Sequence, residues 1–148
     1  MLLTGTYTRT LDDKGRLVLP KRAREVMSDP AILFVTPGPE QCLWLYTEAE
    51  LERQSSRFDQ AADAEARVFR RLYFAQTEAV DLDKTGRMLV PERLLRFAGL
   101  KKEVVLIGVR DHLELWDAVK WTRYADENAA RFDSVAEKSF GRDPSASV

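Results

Sequence analysis

At 148 residues, 45% apolar and 32% charged, the chain has the size of one ordinary domain or two very small ones and is too apolar for general disorder. No apolar run approaches the roughly 18–20 residues that span a bilayer, the amino terminus lacks a charged segment followed by an apolar run, and Cys42 alone cannot make an internal disulfide or a cysteine-built zinc site. A net charge of −1 and a pI of about 5.9 exclude a uniformly basic surface, so the expectation is a cytoplasmic protein.

In chain order, the first informative stretch is TLDDKGRLVLP, Thr10 to Pro20, and it returns as DLDKTGRMLVP, Asp81 to Pro91. Both place an Arg four residues after an Asp (Asp12 and Arg16; Asp83 and Arg87), a Gly directly before the Arg, and a Pro four after it. Gly15 and Gly86 predict a tight connection with positive φ or a close backbone approach. Asp12 and Asp83 are placed to accept hydrogen bonds from N–H groups two residues on. The glycine and the apolar triplet that follows argue against a helical Asp–Arg pair, and predict two strands joined by a short charged tip.

Pro20 and Pro91 then open short helices, KRAREVM and ERLLRFAGL, where a missing N–H costs nothing; Gly99 reads as the stop of the second. Two buried strands follow, in AILFVTP and EVVLIGV, and each is succeeded by a turn and a second strand, CLWLY and HLELW. Thr47 and Glu50 have capping-box spacing ahead of a longer helix, and Asp117 is placed to cap its counterpart. Between the copies, Val68, Leu72 and Ala75, with Phe69 and Tyr73 beside them, keep helical spacing; Phe69, Leu72, Tyr73 and Phe74 read as core, with subunit contacts as the alternative use of some of them. The expected division is a first unit over 1–58, a connecting helix over 59–76, a second unit over 77–132 and a mobile tail over 133–148.

Charge is segregated within this acidic chain. From Arg9 to Arg24, six basic residues (Arg9, Lys14, Arg16, Lys21, Arg22, Arg24) face two acidic ones (Asp12, Asp13). Around the second copy, Lys84, Arg87, Arg93 and Arg96 face Asp83 and Glu92. One such turn would read as a structural ion pair, but exposed pairs contribute only about 0–1 kcal/mol, a weak reason to build it twice. The functional reading gives Arg16 and Arg87 planar forks for an anionic or guanine-bearing partner, with the aspartates holding the loops.

With both motifs, the Gly-Arg pairs and the proline-started helices, the chain from Met1 to about Phe132 resembles the MraZ family of bacterial transcriptional regulators. That family is built from two tandem SpoVT-AbrB units of the swapped-hairpin type. The resemblance implies an α+β fold, with two AbrB-like β units forming a double-psi-like β barrel with flanking helices. It also implies binding of double-stranded DNA at short direct repeats upstream of the protein's own cell division and cell wall operon, by a ring-shaped homo-oligomer associated with the nucleoid. Carried over by position, the contact candidates are Arg16 and Arg87, flanked by Lys14, Lys84, Lys21, Arg22 and Arg93, with Asp12, Gly15, Asp83 and Gly86 shaping the loops. Lys14 and Lys84 stand at different offsets from their arginines, and Lys21 is replaced by Glu92 in the second copy, so Arg16 is expected to outweigh Arg87. No cofactor, metal, membrane or small-molecule substrate is expected.

An enzyme has little support, because no phosphate-cradling glycine loop, metal-ligand cluster or nucleophile elbow is present. His112, the sole histidine, reads as structural, and Cys42 as a buried strand residue rather than a nucleophile. The alternative is a ring-forming scaffold that binds proteins without specific DNA contact. A toxin–antitoxin antidote normally carries one such unit per chain, and this chain carries two.

Overall fold

The computed structural model describes residues 1–60 and 63–141. The chain divides into two compact units, the first spanning Met1–Ala118 and the second beginning at Val119. In the first unit, eight strands are arranged in chain order as β1 (Thr6–Thr10), β2 (Arg16–Val18), β3 (Ile32–Gly38), β4 (Cys42–Tyr46), β5 (Glu78–Asp81), β6 (Arg87–Leu89), β7 (Glu103–Gly108) and β8 (Leu113–Asp117). Short helices α1 (Lys21–Val26) and α4 (Glu92–Phe97) follow β2 and β6, and α2 (Glu48–Ser55) and α3 (Ala64–Gln76) connect β4 to β5.

The strands pair across the repeat. β1 lies on β7, β5 on β3, β4 on β8 and β2 on β6, all antiparallel. The large sheet has the order β1-β7-β8-β4-β3-β5, which reads the same when the two copies are exchanged. The register obeys the same symmetry: Thr10 faces Glu103, and a shift of 71 residues carries that pair onto Asp81 facing Ile32. Leu17 faces Met88 and Trp44 faces Glu114, so each of these pairs joins equivalent residues across an internal two-fold axis. The shift falls to 70 at the second pair because eleven residues separate the paired Phe34 and Tyr46, and ten separate their equivalents Val105 and Trp116.

The expected barrel does not close. β1 and β5 are opposite edges of an open six-stranded sheet, and β2 and β6 form a separate two-stranded ribbon. The reason lies at the tips: after each one the chain turns away from its preceding strand and pairs with the other copy. Each tip is therefore not the end of a regular hairpin, as the sequence predicts, but the crossing point between two sheets.

The core follows the repeat. Leu17 and Met88, Leu19 and Val90, Leu33 and Val104, Leu43 and Leu113, and Leu45 and Leu115 are equivalent pairs, each member almost fully buried. Ala23 and Met27 in one copy become Leu94 and Ala98 in the other, so small and large residues trade places while all four stay buried. Leu115 has no exposed surface, and Leu115→Ala is expected to cost about 2–5 kcal/mol, readable as a lower midpoint in urea at unchanged slope.

Pro20 and Pro91 sit one position before their helices, with φ of −58° and −57°. Gly99 ends α4 with φ of +60°. Thr47 caps α2 by accepting the Glu50 N–H at 3.3 Å, but the Glu50 carboxylate turns to Arg53 at 2.7 Å instead of completing a capping box. Asp63 caps α3 through the Ala66 N–H at 2.8 Å. None of the α3 side chains is fully buried: Phe69 and Leu72 are 47% and 59% exposed, so the core role read from the sequence is not met. Helix α3 packs on β3, and the Phe58 ring meets Phe69, Tyr73 and Phe74 edge-on, a cover that leaves Val68 and Leu72 more than half exposed.

In the second unit, α5 (Ala118–Ala129) begins at the boundary and α6 (Phe132–Phe140) follows. Helix α6 corrects the expectation of a tail from 133: Phe132, Val135 and Phe140 recur at helical spacing. The remainder of that tail, 142–148, lies outside the described residues.

Candidate nucleic-acid interface

Each tip is held by the same backbone lattice. The Asp12 N–H donates to the Arg16 carbonyl at 3.0 Å and the Asp83 N–H to the Arg87 carbonyl at 3.1 Å. Asp12 Oδ1 accepts the N–H groups of Lys14 and Arg16, both at 2.9 Å, and Asp83 Oδ1 accepts those of Thr85 and Arg87 at 2.9 and 3.0 Å. Gly15 and Gly86 have φ of +81° and +84°, a region that side chains avoid. The next bond crosses copies: the Leu19 N–H donates to the Gly86 carbonyl and the Val90 N–H to the Gly15 carbonyl, each at 2.9 Å.

This lattice places Arg16 and Arg87 on one ribbon. In the β2–β6 register Arg16 lies opposite Leu89 and Arg87 opposite Val18, while Leu17 and Met88 point to the core. Strand alternation therefore puts Arg16, Val18, Arg87 and Leu89 on the same outward face. The two arginines are diagonal neighbours, roughly 7–8 Å apart at Cα. Val18 and Leu89 are 43% and 52% exposed between them. The sequence predicts two separate contact tips; the structure gathers their arginines into one surface.

The two copies differ in how they treat the guanidinium. Asp12 Oδ2 accepts from Arg16 Nε at 2.7 Å. In the second copy the Thr85 hydroxyl donates to Asp83 Oδ1 at 2.6 Å, and Arg87 makes no ion pair among the described residues. Arg87 is thus exposed and unheld, whereas Arg16 must give up a partner before it can reach another. An exposed pair of this kind is a weak restraint.

The remaining sequence candidates scatter. Lys14 and Lys84 stand exposed on the tips. Lys21 and Arg22 are exposed on α1, with Lys21 at 4.0 Å from Glu25. Arg93 reaches away to the Ala75 carbonyl at the end of α3, at 3.4 Å. The sequence marks Arg9 only as charge, yet it donates from Nε to the Val18 carbonyl at 3.0 Å and so joins the ribbon's edge. Its sequence signal is its place in β1, three residues before Asp12, but nothing in the linear pattern connects it to β2.

Asp12 is held down to about 2, first by the Arg16 backbone N–H and then by the Arg16 guanidinium and the Lys14 N–H. Asp83 is also held at about 2, first by the Thr85 hydroxyl and then by the N–H groups of Arg87 and Thr85. His112 is buried between Asp111 Oδ1 at 2.7 Å and Glu114 Oε2 at 2.9 Å, and it stacks on Trp44 at 4.1 Å. Burial opposes its charging, but the hydrogen bonds and charges of Glu114 and Asp111 outweigh that and raise its pKa.

These shifts act on opposite limbs of a stability–pH curve. The lowered aspartates contribute stability above their ordinary value of 3.8, lost as pH falls toward about 2. The raised histidine contributes below its ordinary 6.5, and that contribution is lost as pH rises through its folded-state value. Melting temperatures across pH are expected to lose part of the acid limb in Asp12→Ala and part of the decline above 6.5 in His112→Gln. Unchanged curves would contradict both assignments. Cys42 is 1% exposed, and its thiol is pushed up to about 12 by burial and then by the Glu114 charge, which makes it a poor nucleophile at neutral pH.

An α+β chain whose two halves exchange strands, and whose strand crossings carry matched Asp–Gly–Arg tips, defines a tandem-repeat protein with one composite surface. The family model for the MraZ protein, described as antitoxin-like, matches twice, over residues 2–72 and 73–143. The chain belongs to the MraZ family. It is 39% identical over 139 residues to the transcriptional regulator MraZ of Kineococcus radiotolerans, covering 93% of this chain and 96% of that protein. It is 37% identical over 140 residues to that of Moorella thermoacetica, with 93% and 96% covered, and 36% identical over 136 residues to that of Acetivibrio thermocellus, with 90% and 94% covered.

Proposed function

We propose that the chain is a sequence-specific DNA-binding transcriptional regulator whose β2–β6 ribbon enters the major groove. The observation that carries this reading is the shared outward face of Arg16 and Arg87 on a two-stranded ribbon, since the major groove admits such a ribbon. Each arginine offers a planar fork to guanine O6 and N7, and Val18 and Leu89 offer apolar contact to thymine methyl groups. The relatives named as transcriptional regulators support the same reading.

One ribbon per chain carries few contacts, so useful affinity requires several chains on regularly repeated sites. A homo-oligomer, ring-shaped as the family resemblance implies, supplies that spacing on direct repeats in the promoter of the protein's own operon and places the protein at the nucleoid. The exposed apolar residues Val68, Phe69, Leu72 and Phe74 on α3 are the surface that favours assembly. The same surface is what favours the second reading, a scaffold that binds proteins without specific DNA contact. Among the described residues no helix is long and apolar enough to cross a membrane.

A mobility-shift series on the chain's own upstream DNA separates these readings. Log affinity is expected to fall with log salt as phosphate contacts are lost, and upstream DNA is expected to outcompete shuffled sequence. Equal competition by shuffled sequence at every salt concentration contradicts specific recognition.

A further inference from the structure

The linear sequence attaches Arg24 to the first tip, eight residues after Arg16. The strand exchange delivers it to the second. Its Cδ, Nε and Cζ fill the space that a Cβ on Gly86 would occupy, one residue from Arg87. At the first tip the equivalent space over Gly15 is filled by Cδ1 of Leu95. The correspondence is supported by matched backbone bonds, from Asp29 N–H to the Arg24 carbonyl at 2.7 Å and from Leu100 N–H to the Leu95 carbonyl at 3.0 Å. A guanidinium thus stands behind one tip and a leucine behind the other.

The setting leaves this guanidinium uncommitted. Arg24 is half-buried, its Nε is shielded from solvent, and that atom has no hydrogen-bond partner among the described residues. It lines a cleft of about 310 Å³ with Leu82, Asp83, Lys84 and Asp29. Arg24 makes no ion pair among the described residues, although Asp29 and Asp83 line the same cleft, and Asp83 is taken up by two backbone N–H groups and the Thr85 hydroxyl. The shielded Nε stays without a partner, and an acceptor entering the cleft would meet the guanidinium through its other N–H groups.

The local charge follows. Around the second tip Arg24, Lys84 and Arg87 face Asp29 and Asp83, leaving one net positive charge. Around the first, Lys14 and Arg16 face Asp12 and Asp13, leaving none, with Leu95 and Leu100 where Arg24 and Asp29 stand. Arg24 and Asp29 cancel in this count; the difference between the tips comes from Asp13, whose place in the second copy is taken by Lys84, and Arg24 adds a guanidinium that the first tip lacks. We propose that Arg24 is a phosphate-binding residue of the interface, gripping the DNA backbone beside Arg87 and making the second tip the stronger of the two. This rests on the nucleic-acid reading above. A guanidinium suits the task because its fork meets two phosphate oxygens at once.

The test is a salt series of fluorescence anisotropy on a short mixed-sequence duplex, using the full chain. Arg24→Met keeps an apolar stem over Gly86 and removes the charge. It is expected to weaken binding and to make the slope of log affinity against log salt shallower by about 0.9 per engaged chain. Leu95→Arg grafts the guanidinium onto the first tip and is expected to steepen the slope by a similar amount. If Arg24→Met lowers the melting temperature sharply, Arg24→Gln replaces it, with the same slope change expected. An unchanged slope in the Arg24 variants, with or without a loss of affinity, overturns the inference, provided Arg87→Ala still weakens binding. If Arg16→Ala and Arg87→Ala also leave binding unchanged, the nucleic-acid reading has failed and the inference falls with it.

Discussion

Replacing Arg16 and Arg87 together by alanine is expected to remove recognition of the upstream DNA while leaving the fold and the assembly intact. Both side chains point outward from β2 and β6, and the inward residues of the same strands, Leu17 and Met88, are 2% and 1% exposed and untouched by the change. Each good guanine fork contributes about 1–3 kcal/mol of discrimination, so two per chain, multiplied over several engaged chains, exceed what the remaining phosphate contacts can replace. The single variants are expected to be unequal. Arg16→Ala also frees Asp12 from a 2.7 Å pair and leaves a bare carboxylate beside the DNA, whereas Arg87→Ala removes a guanidinium that makes no ion pair among the described residues. Mobility shifts at fixed salt, with melting temperatures as the folding control, measure both. Full binding by the double variant would contradict the ribbon reading.

The second large effect concerns assembly. Val68 and Leu72 lie one helical turn apart on α3 and are 53% and 59% exposed, on the same face of the helix. Val68→Asp combined with Leu72→Asp is expected to reduce the mass seen by light scattering to a smaller species. Affinity for repeated sites is then expected to fall by about 10²–10⁴, because linked binding events become independent ones. Affinity for a single site should change little. A monomeric wild-type chain, or a variant that keeps its full mass, would place self-association elsewhere or remove it from the account.

The local elements were legible in the sequence wherever local rules decide them. Gly15 and Gly86 announced positive φ, Asp12 and Asp83 announced loop-holding carboxylates, and Thr47 announced a cap. The apolar runs around Leu33 and Val104 read as buried strands because nothing but a core accommodates them. The alternation over 112–116 reads instead as a strand with one wet face, whereas the structure buries all of Leu113–Asp117 between β4 and β7. Partner choice was not legible. The pattern of β2 says that Leu17 faces inward and Arg16 outward, but not that the paired strand is β6 of the other copy rather than β1 beside it. The closed barrel failed for that reason, and so did the linear grouping of charge that assigned Arg24 to the first tip.

Other departures have the same origin in tertiary context. The Glu50 carboxylate had two acceptable partners, the Thr47 backbone and the Arg53 guanidinium, and the charged one took it at 2.7 Å. Phe69 and Leu72 have the periodicity of a core helix, but periodicity states that an apolar face exists and not that something in the same chain covers it. The polar end of the chain makes residues from 133 onward read as tail, although Phe132, Val135 and Phe140 keep helical spacing.

Methylation interference on the upstream DNA tests the central claim most directly, because a methyl group at guanine N7 occupies the atom that an arginine fork would meet in the major groove. With the β2–β6 ribbon seated there, guanines methylated at N7 within the repeats are expected to be depleted from the bound fraction, and Arg87→Ala is expected to lose sensitivity at a subset of them. Bound and free DNA with identical methylation patterns would contradict a ribbon in the major groove.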